Sequence, residues 1–261
     1  MHDGQVFDPE AAAQAVTESL RPFGTPGRAA QEKRYLKSDL EFLGVTVPDM
    51  RRVVRAAVRG YPGLSREATV AWATALWREP VHERRMAAVE VLELAVPRLT
   101  AEDLGIVAEL IRQARTWALV DGLACNVAGG IALRDPASWL LIDPWAGDMD
   151  FWIRRSALLA LLPGIRSGSP DLARFDRYAE PMLNETEFFI RKAIGWVLRE
   201  IAGRDPGFTA EWTRNHVSGM SGVTFREAVR RLPAKEAERL RSLRNLPACA
   251  GSSLGPRAYH S

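Results

Sequence analysis

Apolar residues recur every three to four positions along nearly the whole chain, and the strict alternation of a half-buried strand is nearly absent. This periodicity predicts helices at Pro9–Leu20, Gln31–Lys37, Pro48–Arg59, Arg66–Trp77, Val81–Leu94, Ala101–Arg112 and Trp117–Ala128. It predicts further helices at Pro136–Ile142, Phe151–Leu162, Leu172–Leu183, Glu187–Ile201, Pro206–His216, Phe225–Arg231 and Lys235–Leu246. The residues between them fit helix ends. Asp8 and Ser65 are N-cap types whose side-chain oxygen takes an orphan amide, and Thr100 with Asp103 resembles a capping box. Gly60 follows a last turn rich in arginine, as a helix terminus favours. Arg166–Pro170 reads as a loop.

A longer pattern is laid over the first. Glu83-Arg84-Arg85-Met86-Ala87, Ile153-Arg154-Arg155-Ser156-Ala157, Ile190-Arg191-Lys192-Ala193-Ile194 and Phe225-Arg226-Glu227-Ala228-Val229 are alike. Arg84 to Arg154 is two steps of 35 residues, Arg154 to Arg191 is one of 37, and Arg191 to Arg226 is one of 35. A missing copy falls at Trp117–Ala124. Paired helices at this period predict an all-α fold, an α-solenoid of HEAT-like repeats whose second helices line one concave face. The reading is a curved single domain over residues 1–250. Residues 251–261, rich in Gly, Ser and Pro, read as a disordered tail.

Composition narrows the function classes only a little. At 261 residues, 47% hydrophobic and 26% charged, the chain is long enough for one sizeable core without metals or disulfides. Cys125 and Cys249 lie far apart, there is no CxxC, and the histidines are His2, His82, His216 and His260, which argues against a zinc site. No cofactor is expected. Met1–Glu10 carries three acids and no apolar run, and the most apolar run, Ala157–Leu162, is too short to span a bilayer. The expectation is a soluble, cytoplasmic protein with no membrane partner. The net charge is only +3, but from Val223 onward eight basic residues face three acids. A DNA-binding field must therefore come from placement of arginines on one face.

The candidate chemistry sits where the repeat is broken. Asp121 lies four residues after Trp117 and shares its helix face. Taken alone, such a pair is more often a packed indole with a surface acid. The repeat changes that reading, because this helix occupies the place of the arginine-bearing helices and should present its acid to the same concave face. Arg155 and Trp196, from neighbouring copies, would then surround the carboxylate with a cation and a second indole. Arg154, Arg155, Arg191 and Lys192 form a basic ladder that suits a phosphate backbone better than random solvation, and Arg154, Arg191 and Lys192 are expected to bind DNA. The plainer alternative is a solvated basic face or an internal ion pair. Gly195, in the middle of an apolar helix, costs about 1 kcal/mol against alanine and implies close approach of a neighbour. GxGxxG, P-loop, HExxH and GxSxG motifs are missing, and Ser156 has no histidine within sequence range.

Several stretches together resemble a known family. Arg34-Tyr35-Leu36-Lys37, Phe42-Leu43-Gly44-Val45 with Pro48 and Arg51, Thr116-Trp117 through Val120-Asp121, Trp152-Ile153-Arg154-Arg155 and Glu187 through Glu200 are similar to the DNA alkylation repair family. More narrowly they resemble its AlkD-type DNA glycosylases, over roughly residues 30–232. The resemblance implies a catalytic carboxylate at Asp121, sugar-contacting tryptophans at Trp117 and Trp196, an active-site arginine at Arg155 that binds phosphate and places Asp121, and a DNA-contacting tyrosine at Tyr35. It implies a monomeric enzyme that excises cationic N3- and N7-alkylpurines from double-stranded DNA, without full base flipping. Thr116 stands where relatives often carry an aromatic, and the first helix and the C-terminal tail are not recognisably shared. The alternative is a non-catalytic HEAT-repeat module that binds DNA or protein.

Overall fold

The computed structural model describes residues 7–245. Its helices are α1 (Pro9–Leu20), α2 (Pro26–Leu36), α3 (Val47–Arg59), α4 (Arg66–Arg78), α5 (His82–Ala95), α6 (Leu104–Ala114), α7 (Trp117–Asp121) and α8 (Gly129–Arg134). They continue as α9 (Trp139–Ile142), α10 (Phe151–Leu159), α11 (Leu162–Ser167), α12 (Leu172–Met182), α13 (Phe188–Ala202), α14 (Pro206–His216), α15 (Gly222–Ala228) and α16 (Ala234–Asn245). Among the described residues the only β pairing is a single bridge between Glu41 and Val81. The fold is all-α, a stack of helical repeats. The end of the final predicted helix, at Leu246, and the proposed tail lie outside the described residues.

Local chemistry sets most helix boundaries. Asp8 accepts from the amides of Glu10 and Ala11 at 2.9 and 3.2 Å, Ser65 accepts from Ala68, and the Thr100 amide donates to the Asp103 carboxylate at 2.8 Å. Three boundaries differ from the periodicity. Helix α2 begins five residues before the predicted Gln31, because Pro26 occupies its first position, where a missing N–H costs nothing. Ala160 and Leu161 interrupt the predicted Phe151–Leu162 helix, and α11 then carries on through Arg166 and Ser167, where the sequence reads as loop. Gly168 stops α11 at φ 93°, a left-handed conformation that suits glycine. Finally, α7 and α8 are one continuous run to Arg134, joined by a π-helical segment over Gly122–Ala128.

The repeat packs as its spacing implies. Helices α5, α7 with its π segment, α10, α13 and α15 lie side by side as a row of neighbours. Trp72, Leu76, Ile111, Leu119, Leu123, Ile153, Leu158, Ile194 and Leu198 are fully buried between that row and the outer helices. Burying one such side chain contributes roughly 1.5–3 kcal/mol. The first arginine of the repeated dipeptide belongs partly to this scaffold. Arg84 is buried, donating through Nη1 to Thr17 Oγ1 at 2.9 Å and through Nη2 to the Ala75 carbonyl at 3.2 Å. It thereby ties α5 to α1 and satisfies an orphan carbonyl in the last turn of α4.

Candidate functional site

Three elements of the row converge on one cleft of about 470 Å³ lined by Tyr35, Trp117, Asp121, Arg155, Phe188, Phe189, Lys192, Trp196, Arg199, Glu227 and Arg230. The first is α7. Arg115, at φ 50°, turns the chain out of α6, and α7 starts two residues later with Trp117. One turn on, Asp121 faces the same cleft as the indole. The π segment begins at the next residue, and Gly122 makes its packing possible. A Cβ there would stand 2.7 Å from Val89 Cγ1 and 3.0 Å from Glu93 Oε1 on α5. Irregular helical turns of this kind are found at sites where a side chain must be re-aimed.

The second element is α10, whose N-cap Asp150 accepts from the Trp152 amide at 2.8 Å. Arg155 projects from its second turn. The guanidinium grips Asp121 through two parallel bonds, Nε to Oδ1 and Nη2 to Oδ2, both 2.9 Å, and its Nη1 donates to the Phe189 carbonyl at 2.6 Å. The Arg155 side chain is 2% exposed and that of Asp121 is 18% exposed. A bidentate pair with a third acceptor gives each of the three guanidinium nitrogens a partner. The carboxylate is thus fixed in place, with its open side toward the cleft.

The third element is α13. Lys192 and Trp196 lie on successive turns of one face, and Phe188 precedes them by another turn. Lys192 Nζ stands 5.9 Å from the centroid of the Phe188 ring, and the Arg199 guanidinium stands 6.0 Å from that of Trp196. Arg199 also pairs with Glu227 of α15. Across the cleft Tyr35 meets Trp117 edge to face, with centroids 6.2 Å apart, and is 72% exposed. The cleft therefore holds four cations and two carboxylates between two indoles, a phenol and two phenyl rings.

The structure brings together Asp121, Trp117, Trp196, Arg155, Tyr35 and Lys192 from the candidates read in the sequence. It places the other two elsewhere. Arg154 donates to Glu185 through Nε and Nη2 at 2.9 and 2.6 Å and caps the Asp148 carbonyl at 2.7 Å, while Arg191 Nε donates to the Glu185 carbonyl at 2.7 Å. Arg155, with its side chain enclosed, has no open face for the phosphate contact that the resemblance implies. Of the four ladder residues only Lys192 is exposed, so the ladder is for the most part internal pairing. Phe188, Phe189, Arg199, Glu227 and Arg230 were not singled out from sequence. For Phe188, Phe189 and Arg199 the signal is the α-helical spacing from Trp196, for Glu227 it is the repeat position shared with Arg155 and Lys192, and Arg230 carries no such signal.

Burial pushes the Cys125 thiol up to about 11, with Arg166 opposing, so it stays protonated. Among the described residues no cluster of three His, Cys, Asp or Glu side chains could hold a metal ion, and no helix is long and apolar enough to cross a membrane.

Solved structures share the fold. A protein of Enterococcus faecalis described as a predicted DNA alkylation repair enzyme superposes with a TM-score of 0.74 at 22% identity, covering 81% of this chain and 97% of its own. AlkD2 from Streptococcus mutans superposes with a TM-score of 0.51 at 17% identity, covering 83% and 97%. No curated protein matches the chain. The sequence model of the DNA alkylation repair enzyme family matches residues 16–232, which includes every residue of the cleft, and the chain belongs to that family.

Proposed function

We propose that the protein is a monofunctional DNA glycosylase that hydrolyses the N-glycosidic bond of cationic N3- and N7-alkylpurines in duplex DNA. The observation that supports this best is the Asp121 carboxylate, held by a buried Arg155 and open to a cleft walled by Trp117 and Trp196. Alkylation at N3 or N7 leaves the base positively charged. When the bond from C1′ to the base nitrogen breaks, the electron pair leaves with the base and neutralises it, and positive charge develops on the sugar. Water then adds to C1′ and loses a proton, leaving an abasic site. No general acid is required for such a leaving group. What the step does require is fixed negative charge and electron-rich faces near C1′. In this reading Asp121 supplies the charge and orients the water, the two indoles hold the deoxyribose, and Arg155 keeps Asp121 in place.

In this reading the open cleft acts without enclosing a fully flipped base, unlike most base-modifying enzymes. Selectivity then rests on the lability of the lesion itself. The chain would act as a monomer, without a cofactor, on double-stranded DNA that carries alkylated bases. Defined duplexes test the proposal by base release. 7-Methylguanine and 3-methyladenine should be excised, and uracil and 8-oxoguanine should not. Binding without release of any cationic base would favour a non-catalytic DNA-binding module, and excision of uracil at a rate similar to 7-methylguanine would overturn the charge-based mechanism.

A further inference from the structure

The second position of the repeated dipeptide is basic in three copies, Arg85, Arg155 and Lys192, and acidic in the fourth, Glu227. A carboxylate facing a cleft meant for a polyanion opposes binding, so its presence calls for a use. Glu227 is tied to one partner, Arg199, with the two side chains 21% and 19% exposed. Arg199 in turn lies against the ring of Trp196, three residues before it on the same helix. The backbone beneath is locked. A Cβ on Gly195 would lie 2.7 Å from Glu227 Cβ and 2.9 Å from the Thr224 carbonyl, and Thr224 Oγ1 donates to the Arg191 carbonyl at 3.0 Å.

We infer that Glu227 is a positioning residue: through Arg199 it fixes the plane of the Trp196 indole in the cleft. Without the carboxylate, Arg199 is free to swing toward a DNA phosphate and leave the ring. With it, the guanidinium is anchored where it stands and keeps its cation–π contact. Glycine at 195 lets α15 approach closely enough for Glu227 to reach across. The inference rests on the glycosylase reading for its effect on rate, but its geometric content does not.

The test therefore has two arms. In the first, the indole N–H resonances of 15N-labelled protein are recorded, with Trp196 assigned by its loss in Trp196→Phe. Glu227→Gln should move the Trp196 resonance while the indoles of Trp72, Trp145 and Trp212 keep theirs, and Glu227→Asp should move it less. In the second arm, single-turnover release of 7-methylguanine at saturating enzyme should fall roughly 3- to 30-fold in Glu227→Gln, the range one cation–π contact spans, with DNA affinity equal to or tighter than wild type. Glu227→Asp should recover part of the rate. An unmoved Trp196 resonance overturns the inference, as does a wild-type rate in an active Glu227→Gln protein. If the wild-type protein itself releases no base, the glycosylase reading fails, and the resonance alone decides whether Glu227 positions Trp196.

Discussion

Arg155 and Asp121, 34 positions apart in sequence, meet through two parallel hydrogen bonds of 2.9 Å, and the aspartate is the more exposed of the two in the cleft they both line. In the proposed mechanism one residue is the reactive group and the other its mount. Asp121→Asn keeps the shape but turns one of the two acceptors into a donor facing a guanidinium. Base release should fall at least about 100-fold, near 3 kcal/mol of barrier lowering. Arg155→Lys, which cannot form the fork or reach the Phe189 carbonyl as well, should lower the rate constant in the same direction with the carboxylate still present. Single-turnover excision measured beside circular dichroism separates this from unfolding, and wild-type turnover in Asp121→Asn would exclude the proposed role.

The internal pairing of Arg154 and the exposure of Lys192 predict opposite phenotypes from adjacent repeats. Lys192→Gln should flatten the log–log salt dependence of DNA binding by about 0.9 and leave stability near wild type. Arg154→Gln should leave that slope unchanged and cost about 2 kcal/mol of stability, from the lost charged hydrogen bonds to Glu185 and the Asp148 carbonyl. Salt titrations and urea denaturation of the two variants check both statements. A reduced slope for Arg154→Gln would restore it to the phosphate-binding set.

Gly195 offers a case where helix propensity and packing disagree. Alanine gains about 1 kcal/mol of propensity in a helix interior. Its methyl group would collide with the Thr224 carbonyl and Glu227 Cβ, neither of which is the free end of a flexible chain. Overpacking of this kind costs about 1–3 kcal/mol. Gly195→Ala should therefore destabilise, by about 1 kcal/mol in net, and thermal or urea unfolding reads it directly.

Glu93 carries a pH dependence. Burial raises its pKa, and the Glu90 carboxylate adds to this, while the Asn126 hydrogen bond and Arg51 and Arg55 oppose them. Because the folded-state pKa lies above the unfolded one, the stability Glu93 contributes is fully present below its unfolded pKa and is lost as pH rises through the folded value. Glu93→Gln removes the titration. Relative to wild type it should be more stable at neutral pH, and the advantage should shrink as pH falls through the carboxylate range. Urea unfolding across that range checks the sign, and a variant advantage that grows toward acid would contradict the burial of the charged form.

What the sequence determined by itself was whatever short-range interactions decide. The caps at Asp8 and Ser65 act within three residues, the shared face of Trp117 and Asp121 follows from one helical turn, and the 35-residue step announces stacked helix pairs. Even the closeness of something to Gly195 was legible, though not that the neighbour is α15. The tertiary structure alone decided which arginines are free. Arg84, Arg154 and Arg155 are basic like Lys192 along the chain, but their guanidinium groups end on oxygens supplied by other segments of the fold. Charge type is a property of a residue, whereas pairing depends on what lies across the interface. The π segment after Asp121 is of the same kind. It begins at Gly122, where Val89 and Glu93 of α5 approach closely, a contact between helices that the spacing along the chain does not display. The same holds for the cleft itself, since the distance between Asp121 and Arg155 is fixed by the packing of α7 against α10 and not by any spacing in the chain.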